Sequence, residues 1–511
     1  SVTGATCTVS PALPTGLNID SSTCTISGTP TVETSNTTYT VTANISGTTY
    51  QGTVWLATAP FGTITSPVMG AELGLGEAMT PITLNYTVNA NSGGSSGSSS
   101  GSGSGSSSGS GSGNKVATGM LHTCAILDNG DLKCWGSDQY GQLGDGGINT
   151  EVDAPSSTAI DLGPGRTAVD VSAGVWHTCA ILDNGELKCW GGDQNGQLGD
   201  GGTNTEVDAP SSTAIDLGPG RTAVSVKAGM YHTCAILDNG EMKCWGRDNH
   251  GQLGDGGGRT DTSEPSSTAI DLGPGRTAVA IDAGGYHTCA ILDNGELKCW
   301  GRDDYGMLGD GGTTHTSSTY TTAPSSTAID LGPGRTAVAV DAGNAHTCAI
   351  LDNGELKCWG WDRHGQLGDG GTTHTFATYT TTPSSTAIDL GPGRTAIAVS
   401  GALFHTCALL DNSDLKCWGS DEFGYLGNGG TPLSNDSKMS PPTTPIDFGT
   451  NRTPVAVYTG QYHTCAILDN GELKCWGGDQ NGQLGDGGSN TNQPSPVAVS
   501  GNNTWGTTTT L

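Results

Sequence analysis

The sequence predicts an all-β chain whose C-terminal three quarters form a seven-bladed β-propeller, with a smaller β module in front of it. Three observations carry this expectation. The 511 residues include 83 Gly and 16 Cys but only 5 Phe, with 33% hydrophobic and 14% charged residues. That mixture suits short strands and turns better than long helices. Second, a stretch typified by HTCAILDNGELKCWG recurs seven times, its histidine falling at His122, His177, His232, His287, His346, His405 and His463, spaced by 55 to 59 residues. Third, the second unit offers four strand candidates, at Thr167–Ser172, Thr178–Leu182, Glu186–Trp190 and Thr213–Leu217. Four short strands repeated seven times suggest a propeller. A solenoid is the alternative, but it needs special end caps that the sequence does not display.

Within each unit, two apolar runs flank Asp-Asn-Gly, a hairpin signal. A three-residue loop with its glycine in the left-handed region gives a G1-bulge hairpin. In that register Leu127 faces Asp131, and Cys124 lies opposite Cys134. The same arithmetic pairs Cys179 with Cys189, Cys234 with Cys244, Cys289 with Cys299, Cys348 with Cys358, Cys407 with Cys417 and Cys465 with Cys475, and leaves Cys7 and Cys24 near the N-terminus. Disulfides are the expected state, with zinc sites and free thiols as competing readings. Eight bridges would imply an oxidising compartment, hence a secreted or cell-surface protein. The sixth unit has Ser413 where the turn wants glycine, so that hairpin is expected to be strained.

The frame G-x-x-H-T-C-A-I-L, then C-W-G, then G-Q-L-G-D-G resembles the regulator of chromosome condensation repeat over Lys115 to Trp505. The resemblance implies the seven-bladed propeller fold. The paired cysteines and the acidic balance depart from a nuclear exchange factor, so chromatin and small-GTPase functions are not carried over. Secreted proteins of this fold bind proteins through loops on one face. The first unit starts late, at Lys115, and the tail Trp505–Leu511 is expected either to add a strand to the first blade or to reach a neighbouring molecule.

Residues 1–90 carry a second resemblance. L-P-x-G-L at Leu13–Leu17 and T-I-S-G-T-P at Thr25–Pro30 are similar to the second half of the immunoglobulin-like module of microbial surface proteins, and the first half follows, at Gly76–Thr87. The implied fold is a small β-sandwich in permuted order. Phe61–Ala90 then folds back onto its own module, completes a neighbour's by strand donation, or marks the chain as a piece of a tandem array. Residues 91–114 form a Gly/Ser-rich linker, and 115–511 the propeller.

The formal charge of −29, from 49 acidic against 20 basic side chains, argues against nucleic acid, which needs clustered Lys and Arg. No run of eighteen apolar residues is present, so no membrane insertion is expected. The chain lacks a signal peptide's start and reads as a mature or trimmed form.

Catalytic signatures are missing: neither a G-x-S-x-G elbow nor H-E-x-x-H nor a phosphate-binding loop occurs. The seven histidines could form a metal ring, but their fixed frame position reads more simply as a histidine bonded to backbone within each blade. No cofactor is expected. Calcium is the weaker alternative, at Asp138, Asp193, Asp248, Asp303, Asp362, Asp421 and Asp479 with Asp145, Asp200, Asp255, Asp310, Asp369 and Asp486, where turn capping is the simpler role. The constant tryptophans of C-W-G read as blade packing.

Two positions vary inside this frame. One carries Tyr140, Asn195, His250, Tyr305, His364, Phe423 and Asn481; the other carries Leu121, Trp176, Tyr231, Tyr286, Ala345, Phe404 and Tyr462. Tyr140, His250, Tyr305, His364 and Phe423 are the candidate binding residues, with half-buried packing as the competing role. Sequons at Asn36, Asn44, Asn85, Asn435, Asn451 and Asn502 are candidate glycosylation sites. The expectation is a non-enzymatic extracellular structural protein, assembled as a homopolymeric fibre by strand donation. The alternative is a secreted binding module (adhesin, lectin-like or protein inhibitor) that meets glycans or other surface proteins with one propeller face.

Overall fold

The computed structural model describes residues 115–147, 151–202, 206–312, 319–371, 378–430, 437–488, 490–501 and 504–505, together with the backbone of short strands before residue 115. No helix among the described residues is long and apolar enough to cross a membrane.

In the second unit, strands Ala168–Ala173, His177–Leu182 and Leu187–Gly191 form one antiparallel meander. The chain makes this meander seven times, giving a seven-bladed propeller. The first blade is the short one, its inner strand reduced to Val116–Thr118. Each hairpin turns as its residues dictate. Leu182 N–H donates to Glu186 O at 2.9 Å, Gly185 N–H donates to Leu182 O at 2.9 Å, and Gly185 has φ +78°. Counting from that hydrogen-bonded pair, Cys179 and Cys189 meet at a non-hydrogen-bonded position, where facing Cα atoms come closest. They are disulfide-bonded with Cα atoms 4.0 Å apart, and the same bridge occurs in all seven blades. The pair Cys7–Cys24 lies outside the described side chains.

The fourth strand departs from expectation. Thr213–Leu217 forms no strand: it gives a single backbone bond, Ile215 N–H to Leu187 O at 2.9 Å, while Leu217 buries itself in the core. Its apolar alternation reflects packing. Asp216 accepts a bond from Gly218 N–H at 2.8 Å, and that local turn competes with any ladder. The outer edge comes instead from residues just after the Gly-rich turn. Val152, Val207 and Thr262 bridge blades 1 to 3 singly. Tyr320–Thr321, Tyr379–Thr380 and Ser437–Lys438 serve blades 4 to 6, and Gln493–Ala498 serves blade 7.

Adjacent blades are joined by one repeated polar device. The Gln142 carbonyl of blade 1 accepts Thr178 Oγ1–H at 2.8 Å and Trp190 Nε1–H at 3.1 Å, both from blade 2. Thr178 commits its only hydroxyl proton there, so it must accept from His122 Nε2–H, 2.9 Å away. Every histidine bonds the threonine of the next blade in this way, and His463 of blade 7 reaches Thr123 of blade 1 at 2.7 Å. The ring closes on itself. The expected backbone partner is therefore corrected: the imidazole bonds a side chain across the blade seam. Gly144 makes room for the device, because a Cβ there would stand 2.4 Å from Trp190 Nε1. Carbonyls serve equally from Met307 and Tyr425, which replace glutamine in blades 4 and 6.

Trp505 completes the seam between blades 7 and 1; the rest of the tail, 506–511, lies outside the described residues. Trp505 is fully buried, bridges Leu127, donates its backbone N–H to Gly471 O at 3.0 Å and packs 5.6 Å from the Trp135 ring. It pairs within its own chain as a single bridge.

Before residue 115, Ala5–Ser10, Thr34–Ile45 and Thr48–Thr58 form one sheet. Leu17–Ile19, Ile26–Gly28, Thr63–Ile64 and Val88–Asn89 form a second. Within 91–114, Gly101–Ser102 and Ser106–Ser107 pair with one another.

Ser413 sits at φ +65° with the same turn hydrogen bonds as its glycine counterparts. A left-handed L-residue costs roughly 1–2 kcal/mol. Ser413→Gly should therefore raise stability by about 1 kcal/mol in denaturant titration. Gly240→Ala, whose Cβ would meet Thr277 Cβ at 2.7 Å, should lower it. An unchanged midpoint for Ser413→Gly would refute the strain.

Candidate binding face

Because His177 pairs with Gly191, the segment before each histidine and the turn after each C-W-G emerge at the same end of every blade. This end is the candidate face; the opposite end carries the Asp-Asn-Gly hairpins. On the hairpin face blades 2 to 7 look alike. Six arginine–aspartate pairs, from Arg166–Asp183 to Arg452–Asp469, recur at 3.0–3.4 Å with side chains about one third exposed. Exposed pairs of this kind add little stability.

The histidines and turn aspartates turn out to be frame groups. Burial lowers the histidine pKa from 6.5 to about 3 in six blades and about 4 at His346. Nδ1 is buried without a partner in all seven, the state expected of a neutral ring protonated at Nε2. Asp138 Oδ1 accepts Leu143 N–H at 3.0 Å and so caps the turn that presents the Gln142 carbonyl. Burial raises its pKa to about 7, and those of Asp193, Asp248 and Asp479 to about 6. Among the described residues no three acidic, histidine or cysteine side chains gather as a metal site.

The two variable positions prove to be partners across the seam. Tyr140 packs on Trp176 of the next blade at 4.8 Å, His250 on Tyr286 at 5.2 Å, His364 on Phe404 at 4.8 Å and Phe423 on Tyr462 at 6.3 Å. Tyr305 meets Ala345 in this register, and Trp361 fills the space with its ring 5.6 Å from Tyr305. All five candidate binding residues are half-buried, each wedged in a seam with an edge left to solvent. Between blades 7 and 1 the contact is polar and lies outside the second variable position: Asn481 Nδ2–H donates to Glu151 at 2.7 Å.

A third variable position escaped the sequence reading. It follows C-W-G directly and holds Ser137, Gly192, Arg247, Arg302, Trp361, Ser420 and Gly478. The run of three large residues, Arg247, Arg302 and Trp361, among small ones was the available signal. Arg247 lies over Tyr231 at 5.2 Å and Tyr286 at 5.7 Å; Arg302 lies over Tyr286 at 5.2 Å and Tyr305 at 5.9 Å. Among the sequons, Asn451 is exposed with φ +57°; Asn36 and Asn44 lie in the strand Thr34–Ile45, and Asn85, Asn435 and Asn502 lie outside the described residues.

The fold and face together define a disulfide-stapled seven-bladed propeller with a uniform frame and one diversified face. Comparison with known proteins gives the family: the RCC1-like domain matches residues 86–393 and the RCC1 repeat matches 395–424 and 455–483, so the chain belongs to the RCC1-like family. An Ig domain family matches residues 1–58. The chain is 31% identical over 374 residues to the ultraviolet-B receptor UVR8 of Arabidopsis thaliana, covering 73% of this chain and 78% of the receptor. It is 28% identical over 372 residues to the human E3 ubiquitin-protein ligase HERC2, covering 73% of this chain but 7% of that protein. The structure of Prp20p from Saccharomyces cerevisiae superposes with a TM-score of 0.63 at 20% identity, covering 74% of this chain and 88% of that one. The structural likeness concerns the fold.

The buried ionisable groups set an acid limit. Histidines with lowered pKa stabilise the fold above pH 6.5, and that contribution is lost as pH falls toward 3. The four aspartates have raised pKa values, so theirs is present below about pH 4 and lost as pH rises through 6 to 7. The two trends oppose one another between about pH 4 and 6, and below pH 4 only the histidines act, each at about 1.4 kcal/mol per pH unit. Because seven histidines outnumber four aspartates, the melting temperature should already fall as pH drops below about 6.5, and fall more steeply between about pH 4 and 3, where the aspartates no longer offset the loss. A melting temperature that held steady to pH 3 would show the histidines protonate without cost.

Proposed function

We propose that this chain is a non-catalytic binding module of an oxidising, extracellular setting, and that it meets its partner with the face carrying Tyr140, His250, Tyr305, His364 and Phe423. The observation that carries this reading is the contrast between faces. Hairpin-face residues repeat almost identically, while aromatic and cationic exchanges collect at three positions of the other face. Half-buried aromatic rings beside arginine are the residue types that dominate binding hot spots. Seven disulfides support an oxidising compartment. Partner binding by other members of the family supports the module reading by analogy, as in the crystal structure of Kap60 bound to yeast RCC1.

A fibre assembled by strand donation is the second reading. Its ground is the permuted order of the module. Against it, Ile64 pairs with Gly28 and Val88 with Ile64, so both short strands of residues 61–90 lie in the chain's own sheet.

The labelled full-length chain should bind cells or matrix of its source saturably. Tyr305→Ala with Phe423→Ala should weaken that binding at least tenfold, while Arg166→Ala with Arg221→Ala on the hairpin face should leave it unchanged. Equal loss from both pairs would dismiss the face assignment.

A further inference from the structure

The chain has 20 basic residues against a net charge of −29, and most are committed to the frame. The lysine of each L-K-C-W stretch is largely buried, six of the seven donating to a carbonyl from the preceding unit, as Lys188 does to Leu162 O at 2.9 Å. Six arginines hold the hairpin-face ion pairs. Of the few that remain, Arg247, Arg259 and Arg302 fall together on the candidate face, on blades 3 and 4. Arg247 and Arg302 share Tyr286 as a neighbour, each within 6 Å of its ring centre. Arg259 lies 4.4 Å over Tyr320 and holds a left-handed φ of +59°, a strained conformation for a bulky residue. His250 sits against Tyr286 at 5.2 Å.

The local carboxylates are engaged. Asp304 pairs with Arg302, Asp248 caps Leu253 N–H at 3.0 Å, and Asp261 accepts Asp248 N–H at 2.8 Å. Arg247 makes no ion pair among the described residues. Arg302 Nε is buried and without a hydrogen-bond partner. Asp304 offsets the charge of Arg302, but Arg247 stands beside His250 and Arg302 with no carboxylate of its own among the described residues, an arrangement that a second anion would relieve.

We propose that Arg247, Arg302, His250 and the rims of Tyr231, Tyr286 and Tyr305 form a site for the side-chain carboxylates of an acidic, extended protein segment. This rests on the binding-face reading and names its ligand class. Guanidinium forks match carboxylates bidentately. The ring faces are already covered by arginine, which leaves donor edges and phenol rims instead of open platforms for sugar stacking. Arg259 extends the same chemistry outward along blade 3, as an extended segment requires. The positions equivalent to Arg247 in blades 1, 2 and 7 are Ser137, Gly192 and Gly478, which offer no cation, so the site is confined to one arc of the face.

The test is fluorescence anisotropy of the full-length chain with a labelled peptide of alternating glutamate and tyrosine, beside polygalacturonate and a lysine peptide. The glutamate peptide should bind, weaken with salt, and lose at least tenfold affinity in Arg247→Ala and again in Arg302→Ala. Arg247→Lys keeps the charge without the fork and should fall between. Glu206→Gln in blade 2 should change nothing, and melting temperatures report whether each variant folds. Binding of polygalacturonate alone would overturn the peptide assignment in favour of an acidic glycan. No binding of either anion, or binding indifferent to both arginines, would overturn the site. A self-association abolished by Arg247→Ala would overturn it in favour of an interface between copies. If cell binding still depends on Tyr305 and Phe423 while these probes fail, the face reading stands and only the ligand class falls.

Discussion

One backbone carbonyl per blade organises this propeller. It belongs to the residue before the buried leucine of the Gly-rich turn, as Gln142 precedes Leu143, and it accepts two donors from the following blade, a threonine hydroxyl and an indole N–H. Everything around it is arranged to keep that carbonyl in place. Asp138 closes the turn behind it, Gly144 leaves space for the indole, and the histidine of its own blade uses the lone pair the threonine has left. A buried carbonyl, hydroxyl, indole and imidazole would each be costly if unpaired, so the seam is correct only as a set. That gives the blade interface a specific register that apolar packing of small blades would not impose.

Because the device uses backbone where it can, side chains at its margins are free to differ. Met307 and Tyr425 stand in for glutamine without loss of the bonds. The three variable positions lie where the seam opens to solvent, and there substitution changes the surface without touching the carbonyl. A rigid ring with local freedom at one rim is a suitable scaffold for recognition, since little order has to be created on binding.

The repeat, the hairpin register and the cysteine pairing were legible in the sequence because each follows from spacing along a short segment. Asp-Asn-Gly sets the turn, and the turn sets which residues face one another. Relations across the seam were not legible. Nothing near His122 indicates that its partner is Thr178, 56 positions away, or that Tyr140 and Trp176 share a seam. Thr213–Leu217 misled for a related reason: alternation reports which side chains turn inward, and a coil that half-buries Ile215 and buries Leu217 alternates as a strand does. The arginines at 247 and 302 were visible as letters, but their common neighbour, Tyr286, is set by the ring.

The disulfides have a mechanical side. Every described bridge closes a loop within one hairpin, spanning a separation of 10 residues, and none ties one blade to the next. Under tension the seams can part while each hairpin stays locked. A blade pulled from the ring then releases only the unlocked part of its repeat, roughly 45 residues or about 150 Å of contour at 3.4 Å per residue. Reduction would lengthen each step by about 30 Å, a difference that single-molecule pulling resolves. A chain exposed to shear would thus yield in short, equal increments and keep a folded remnant in every one of them.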